Sequence, residues 1–308
     1  MNHRIPVLLD GDPGHDDAIA WMLAATGLDI RGVSSVAGNQ TIEKTTRNAL
    51  RICTLLGIRA PVAMGLARPL LSEALTAPSV HGVSGLDGPA LPEPDREAAP
   101  ESAPEQMARL LRESAEPLTI VATAPLTNVA ALLLAHPELK ANIAGISLMG
   151  GGLAHGNWTP AAEFNILADP EAADVVFRSG LPITMAGLDV TEQAWFSPEE
   201  FAALPDTPVG RFARAATAGP MQKNMARGAG GLCLHDVCPV LYLTHPELFT
   251  GRQAGVHVET RGTVTYAKTV TDLDSDAKFP ERNVFVVLGV DRAGFAAHIT
   301  EALRGYAG

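Results

Sequence analysis

The sequence predicts an α/β protein: a mainly parallel open sheet with helices on both faces, and a small antiparallel addition near the C-terminus. Three observations predict it. Short apolar runs alternate with segments of helical periodicity over most of the 308 residues, the signature of βαβ units. Hydrophobic residues make up 46% of the chain and aromatic ones only 5%, so aliphatic side chains fill an ample core. No repeat, low-complexity tract or linker interrupts the alternation, which leaves residues 1–308 as one domain.

Taken in order, an apolar run from Ile5 contains a strand at Val7–Leu9, and a Pro-Gly turn follows it. A helix over Asp17–Ala25 comes next, with Ala18, Ile19, Trp21, Met22 and Leu23 supplying its apolar side. Ile30–Val36 reads as a strand and Thr41–Leu56 as a helix. The Pro-rich stretch from Leu91 to Pro104 reads as a surface loop. Helices over Glu105–Ser114, Leu126–Leu134 and Pro170–Ser179 then alternate with strands at Leu118–Ala122, Ile143–Met149 and Ile183–Ala186. Another helix fits Asp236–Leu243. Beyond it the pattern changes: Val256 and Val258, Val264 and Tyr266, then Val284–Val287 read as strands joined by short turns such as Arg261-Gly262. A helix over Asp291–Arg304 closes the chain.

The net charge of −11 argues against nucleic acid or an anionic membrane as partner and leaves small neutral or cationic ligands open. No apolar stretch approaches the length of a membrane span, and Met1–Pro6 has no signal-like apolar region. Cys53, Cys233 and Cys238 are an odd number without metal-ligand spacing, as in a reducing cytosol. A cytoplasmic protein is expected.

Residues 8–18 hold four carboxylates, Asp10, Asp12, Asp16 and Asp17, around the first strand end. Gathering them costs on the order of several kcal/mol unless a cation sits among them. Hard oxygen donors suit calcium or magnesium rather than zinc. Asp12 and Asp17 straddle the turn and can reach one ion, while Asp16 points elsewhere. Capping of the helix accounts for one or two acids at its positive end, but not for four.

Further polar clusters follow other strand ends, where open α/β sheets bind ligands. They are Gly38-Asn39, Thr123-Ala124-Pro125 and Gly150-Gly151-Gly152. Val80–Gly88 is a glycine-dense loop with His81, weak by itself. Asn157–Asn165 offers Asn157, Glu163 and Asn165, either an Asx-rich turn or the donors and acceptors a polyhydroxyl ligand needs. Asp236 either caps a helix or completes a metal shell, and His235 beside it suits a proton donor.

Together these segments resemble the inosine-uridine nucleoside hydrolase family nearly end to end. The resemblance rests on Asp10-Gly-Asp-Pro-Gly-His-Asp-Asp17, Ala37–Lys44, Val80–Gly88, Ala124–Asn128 and Leu148–Gly152. Ala162-Glu-Phe-Asn165, Gly187–Thr191 and His235-Asp236 complete it. It implies a nucleoside hydrolase-like fold with a Rossmann-type core, and calcium-dependent cleavage of the N-glycosidic bond of ribonucleosides to ribose and base. Asp12, Asp17, the Thr123 carbonyl and Asp236 would hold the ion. Asp16, Asn39, Met149, Asn157, Glu163, Phe164, Asn165 and Asp236 would bind the sugar. Asp12 would act as base, with His235 and His81 at the departing nucleobase. A homodimer or homotetramer is also implied.

The residues agree with that chemistry. An oxocarbenium-like transition state is stabilised by surrounding carboxylates, and a metal-activated water can attack it. Ala124 and Val237 depart from the family pattern. So does the segment 219–231, which carries Lys223 and Arg227 where many relatives close over the base with aromatic rings. His81, in place of the tryptophan of purine-specific members, favours a pyrimidine or nonspecific preference. A modified ribonucleoside, or a non-catalytic ribose- or nucleoside-binding protein, is the alternative. A haloacid-dehalogenase-like phosphatase would leave Asp16-Asp17, Asn157, Glu163 and Asn165 idle.

Overall fold

The computed structural model describes residues 4–88, 90–274 and 278–307. Its first half runs β1 (Pro6–Gly11), α1 (His15–Gly27), β2 (Asp29–Ser35), α2 (Ile42–Leu56), β3 (Val62–Met64) and α3 (Pro78–His81). Then come α4 (Ala103–Glu113), β4 (Leu118–Ala122), α5 (Thr127–Ala135), β5 (Ile143–Met149), α6 (Phe164–Ala168) and α7 (Pro170–Phe177). The middle holds β6 (Ile183–Ala186), α8 (Leu188–Thr191), β7 (Trp195–Phe196), α9 (Pro198–Ala202), α10 (Pro208–Ala226) and β8 (Leu232–Cys233). The end holds α11 (Val237–Thr244), β9 (Phe249–Val258), β10 (Thr269–Asp272), β11 (Val284–Val290) and α12 (Arg292–Arg304).

Nine strands form one sheet in the order β10-β9-β11-β6-β5-β4-β1-β2-β3. From β11 to β3 all neighbours are parallel, whereas β9 runs antiparallel to both β11 and β10. The expected antiparallel addition is therefore an edge of the main sheet, joined through β11. A separate two-stranded antiparallel ribbon pairs β7 with β8.

The chain winds outward from β1 to β3, returns to place β4 beside β1, and winds the other way. That reversal puts a crevice beyond the carboxyl ends of β1 and β4. Both faces of the sheet are buried by helices. Val7 and Leu9 belong to the apolar layer with α1, α2, α10, α11 and α12, while Leu8 belongs to the layer with α4, α5 and α7. The two-residue period of a strand makes that division.

Two stretches depart from the sequence expectation. Val264 and Tyr266 are not strand residues; they lie in the turn before β10, and Val264 is 85% exposed. The Glu259 carboxylate accepts the Arg261 and Gly262 amides there, and the Tyr266 hydroxyl donates to Glu171. Local side-chain acceptors have bent the chain despite its apolar alternation. The second is α10, which the apolar pattern does not announce. Its buried side is built largely of small groups such as Gly210, Ala213 and Ala216, and Pro220 lies within it.

Candidate active site

The site begins where β1 stops. Gly14 opens α1, and its amide donates to Asp17 Oδ2 at 3.0 Å, while Thr123 Oγ1 at the end of β4 donates to Asp17 Oδ1 at 2.7 Å. Asp17 thus does cap its helix, but this engages it without neutralising it. Asp12 turns toward Asn39, whose amide donates to Oδ2 at 2.6 Å and whose Nδ2 lies 3.1 Å from Oδ1. A Cβ at position 38 would fall 2.1 Å from Asp12 Oδ2, so the close approach of this backbone demands glycine.

Asp236 stands at the N-terminus of α11 without making a side-chain capping bond. Its carboxylate instead meets those of Asp16 and Asp17, each offering an oxygen within 4.8 Å of the others. Sequence spacing had paired Asp12 with Asp17 and turned Asp16 away; here Asp16 joins the convergent set while Asp12 faces Asn39. Burial, then the charge of Asp17, pushes Asp12 well above the usual carboxylate range. Burial and the charges of Asp16, Asp17 and Asp12 do the same to Asp236. Asp17 is pushed up to about 7 by burial and by Asp16. Carboxylates that resist ionisation together are a cluster in want of a cation, and an all-oxygen donor set fits a hard divalent one. Asp10 stands apart. Its Oδ1 accepts from Ser34 and Asn128, both at 2.8 Å, and burial raises it to about 6.

Across the crevice, β5 delivers Met149 and the following loop delivers Asn157, Glu163, Phe164 and Asn165. Glu163 caps α6, accepting the amides of Asn165 and Ile166, and also that of Gly151. Burial nevertheless lifts its carboxyl to about 7. Asn165 Nδ2 donates to the carbonyls of Thr123 and Met149, each at 3.2 Å, so it ties the two strand ends together. Asn157 Oδ1 accepts the Phe164 amide at 2.9 Å. The turn reading and the polar-surface reading of this segment are therefore both realised in one loop.

His81 ends α3 and stacks on His15, with ring centroids 5.5 Å apart. Burial pushes His81 down to about 4, and burial also lowers His235, whose Nδ1 lies 2.7 Å from Thr191 Oγ1. Both shifts favour the neutral ring.

Asp16, Asn39, His81, Thr123, Met149, Asn157, Glu163, Phe164, Asn165, His235 and Asp236 line one cavity of 440 Å³, a volume suited to a small ligand. Asp12 and Asp17 lie beneath its surface. His15, Trp158, Glu192 and Asn224 also line it and were not singled out from the sequence. His15, Trp158 and Asn224 stood inside segments that were, whereas Glu192 carried no signal of its own. A groove of 490 Å³ at the opposite, amino end of the strands is lined by Arg4, Asp29, Arg31 and Arg59 and has no comparable chemistry.

Comparison with known proteins agrees with this geometry. The model of the inosine-uridine preferring nucleoside hydrolase family matches residues 7–297. The chain is 50% identical over 313 residues to the pyrimidine-specific ribonucleoside hydrolase RihA of Shigella boydii serotype 4 (strain Sb227), covering 98% of this chain and 99% of that protein. A solved purine-preferring ribonucleoside hydrolase from Gardnerella vaginalis superposes with a TM-score of 0.91 at 33% identity, covering 98% and 99% of the two chains. The plant nucleoside hydrolase PpNRh1 gives 0.90 at 29% identity, with the same coverage. The chain belongs to the inosine-uridine preferring nucleoside hydrolase family.

Proposed function

We propose that this enzyme is a calcium-dependent hydrolase with a pyrimidine or nonspecific base preference. The observation that carries the reading is the buried convergence of Asp16, Asp17 and Asp236, beside Asp12, on the floor of a nucleoside-sized cavity. The RihA relative, named pyrimidine-specific, supports the base preference.

In this reading Asp12, Asp17, the Thr123 carbonyl and Asp236 hold the ion. Asp16, whose carboxylate lies near those of Asp17 and Asp236, would face both the ion and the sugar. Bound there, calcium supplies Lewis acidity that makes a water nucleophilic at neutral pH. Asp12 would take the proton of such a water as it attacks the sugar. Asp16, Asn39, Asn157, Glu163, Asn165 and Asp236 orient the ribose hydroxyls, while Met149 and Phe164 exclude water from its faces. The anionic floor favours positive charge developing on the sugar. His235 and His81 hydrogen-bond the base as it departs, and His15 buttresses His81 by stacking.

Lys223 and Arg227 stand at the other side of the cavity without an acidic partner among the described residues. That observation favours, as a second reading, a modified ribonucleoside bearing an anionic group.

We further read residues 1–308 as one domain, since strands from both ends of the chain share the sheet, and the assembly as a homodimer or homotetramer. The ligand is a small molecule, with no nucleic acid or membrane partner. Among the described residues no helix is long and apolar enough to cross a membrane, and the three cysteines are unpaired, in keeping with a cytoplasmic setting. Uridine, cytidine, inosine and an acidic nucleoside, each incubated with calcium or with a chelator, test the reading by ribose release. Release from the first two, abolished by the chelator, is expected. Release unaffected by the chelator would remove the metal, and release from the acidic nucleoside alone would favour the second reading.

A further inference from the structure

We propose that His245, Glu247 and His298 form a second cation site, remote from the cavity and suited to zinc rather than calcium. His245 caps the C-terminus of α11, Glu247 follows in the turn Pro246–Leu248, and His298 projects from α12. Each offers a ligand atom within 4.8 Å of the others. The two rings have centroids 3.8 Å apart with a tilt of 37°.

The hydrogen bonds leave His245 in a ligating form. Thr244 Oγ1 donates to the Leu241 carbonyl at 3.2 Å, so its one proton is committed. His245 Nδ1 lies 2.9 Å from the same oxygen, and with the ring as donor in that contact the Nε2 lone pair is free. A second-shell acceptor that fixes ring and tautomer is what a ligating histidine requires. The charges of Glu247 and Glu301 act on this ring, giving a field that attracts a cation.

Donor chemistry separates the two sites. Two imidazoles and one carboxylate, with room for water, match the preference of zinc for nitrogen ligands, whereas the acidic cluster is all oxygen. The site would tie the far end of α11, whose near end is Asp236, to α12, and both helices pack on α1. Its expected effect is on stability, not on turnover.

The test is calorimetric titration of the full chain with Zn²⁺ in saturating Ca²⁺, together with the thermal midpoint and ribose release. One Zn²⁺ bound per chain, with a raised midpoint, is expected. His298→Gln should weaken that binding about 100-fold, the scale of losing a ligand or its support, while leaving turnover intact. Glu247→Gln, at an exposed position, should weaken it as well and serves if the first variant folds poorly. Absent Zn²⁺ binding, or binding equal in wild type and both variants, overturns the proposal. The zinc isotherm reads independently of whether any nucleoside is cleaved.

Discussion

Asn128→Ala offers a demanding test of how the site is supported. The side chain is fully buried in the first turn of α5 and makes three bonds. Its Nδ2 donates to Asp10 Oδ1 at 2.8 Å and to the Ser35 carbonyl at 2.9 Å, and its Oδ1 accepts the Leu66 amide at 2.9 Å. It therefore joins β1, the end of β2 and the segment after β3 in one network. Truncation leaves a backbone carbonyl, an amide and a buried carboxylate short of partners. At about 1–3 kcal/mol for each group so orphaned, the loss comes to about 3–9 kcal/mol. That is a large fraction of the ~5–15 kcal/mol by which domains are stable. Asn142→Ala is the internal control, since it removes a single bond, to the Leu111 carbonyl at 3.2 Å, from a half-buried position. Its loss should stay near 1 kcal/mol, a typical single hydrogen bond. Urea unfolding of both variants at pH 7 measures the difference. If Asn128→Ala costs no more than Asn142→Ala, the network is not what braces the carboxylates.

Three more outcomes are expected. Asp236→Asn removes one charge from the buried cluster, so without divalent cations its thermal midpoint should rise above wild type while ribose release falls by about 100-fold or more; a lower midpoint in chelator would contradict the repulsion. His81 is depressed from 6.5 to about 4, so the stability it contributes is present above 6.5 and is lost as pH falls toward 4. His81→Gln should accordingly flatten the decline of the urea midpoint between pH 7 and pH 4.5, and an unchanged slope would refute the assignment. Gly14→Ala would put a Cβ 2.5 Å from His81 Nδ1 and 2.8 Å from Asn39 Nδ2. Turnover should drop by about 10-fold or more from displacing these groups, with far-ultraviolet circular dichroism unchanged; wild-type kcat/KM would show that neither side chain needs its present place.

The sheet was legible because buried parallel strands are written as apolar runs, and Leu118–Ala122, Ile143–Met149 and Ile183–Ala186 coincide with β4, β5 and β6. The acidic run was legible because such a charge density has few uses. Side-chain direction was not. Spacing alone paired Asp12 with Asp17 and turned Asp16 away, whereas Asp16 meets Asp17 and Asp236, and the Asn39 amide that holds Asp12 comes from a distant loop. Nor could sequence show that Asn157 and Glu163 both shape their loop and face the cavity, since one motif served both purposes. Short β3 and α9 offer too few residues for periodicity to register. Pairs such as His245 and His298 are distant in sequence and only the packing of α12 brings them together.

The two halves of the cavity differ in how they are held, and this bears on which base is cleaved. In the proposed reading the sugar side rests on strand ends of the central sheet, where Asp12, Thr123 and Asn165 are buried, Asp12 held by the Asn39 amide and Asn165 by the Thr123 carbonyl. A change there disturbs several elements at once. The base side rests on α3 and the end of α10, where Val80, Lys223 and Arg227 are exposed. Lys223 makes one long contact, 3.3 Å to the Ser79 carbonyl. Substitutions on that side displace little of the fold, and one or two contacts change discrimination between ligands by about 1–3 kcal/mol. A protein named purine-preferring can therefore share this backbone at a TM-score of 0.91, while one named pyrimidine-specific shares half of its sequence. In the proposed reading, preference for a base is to be sought in side chains such as His81, Lys223 and Arg227, which line the cavity on that side.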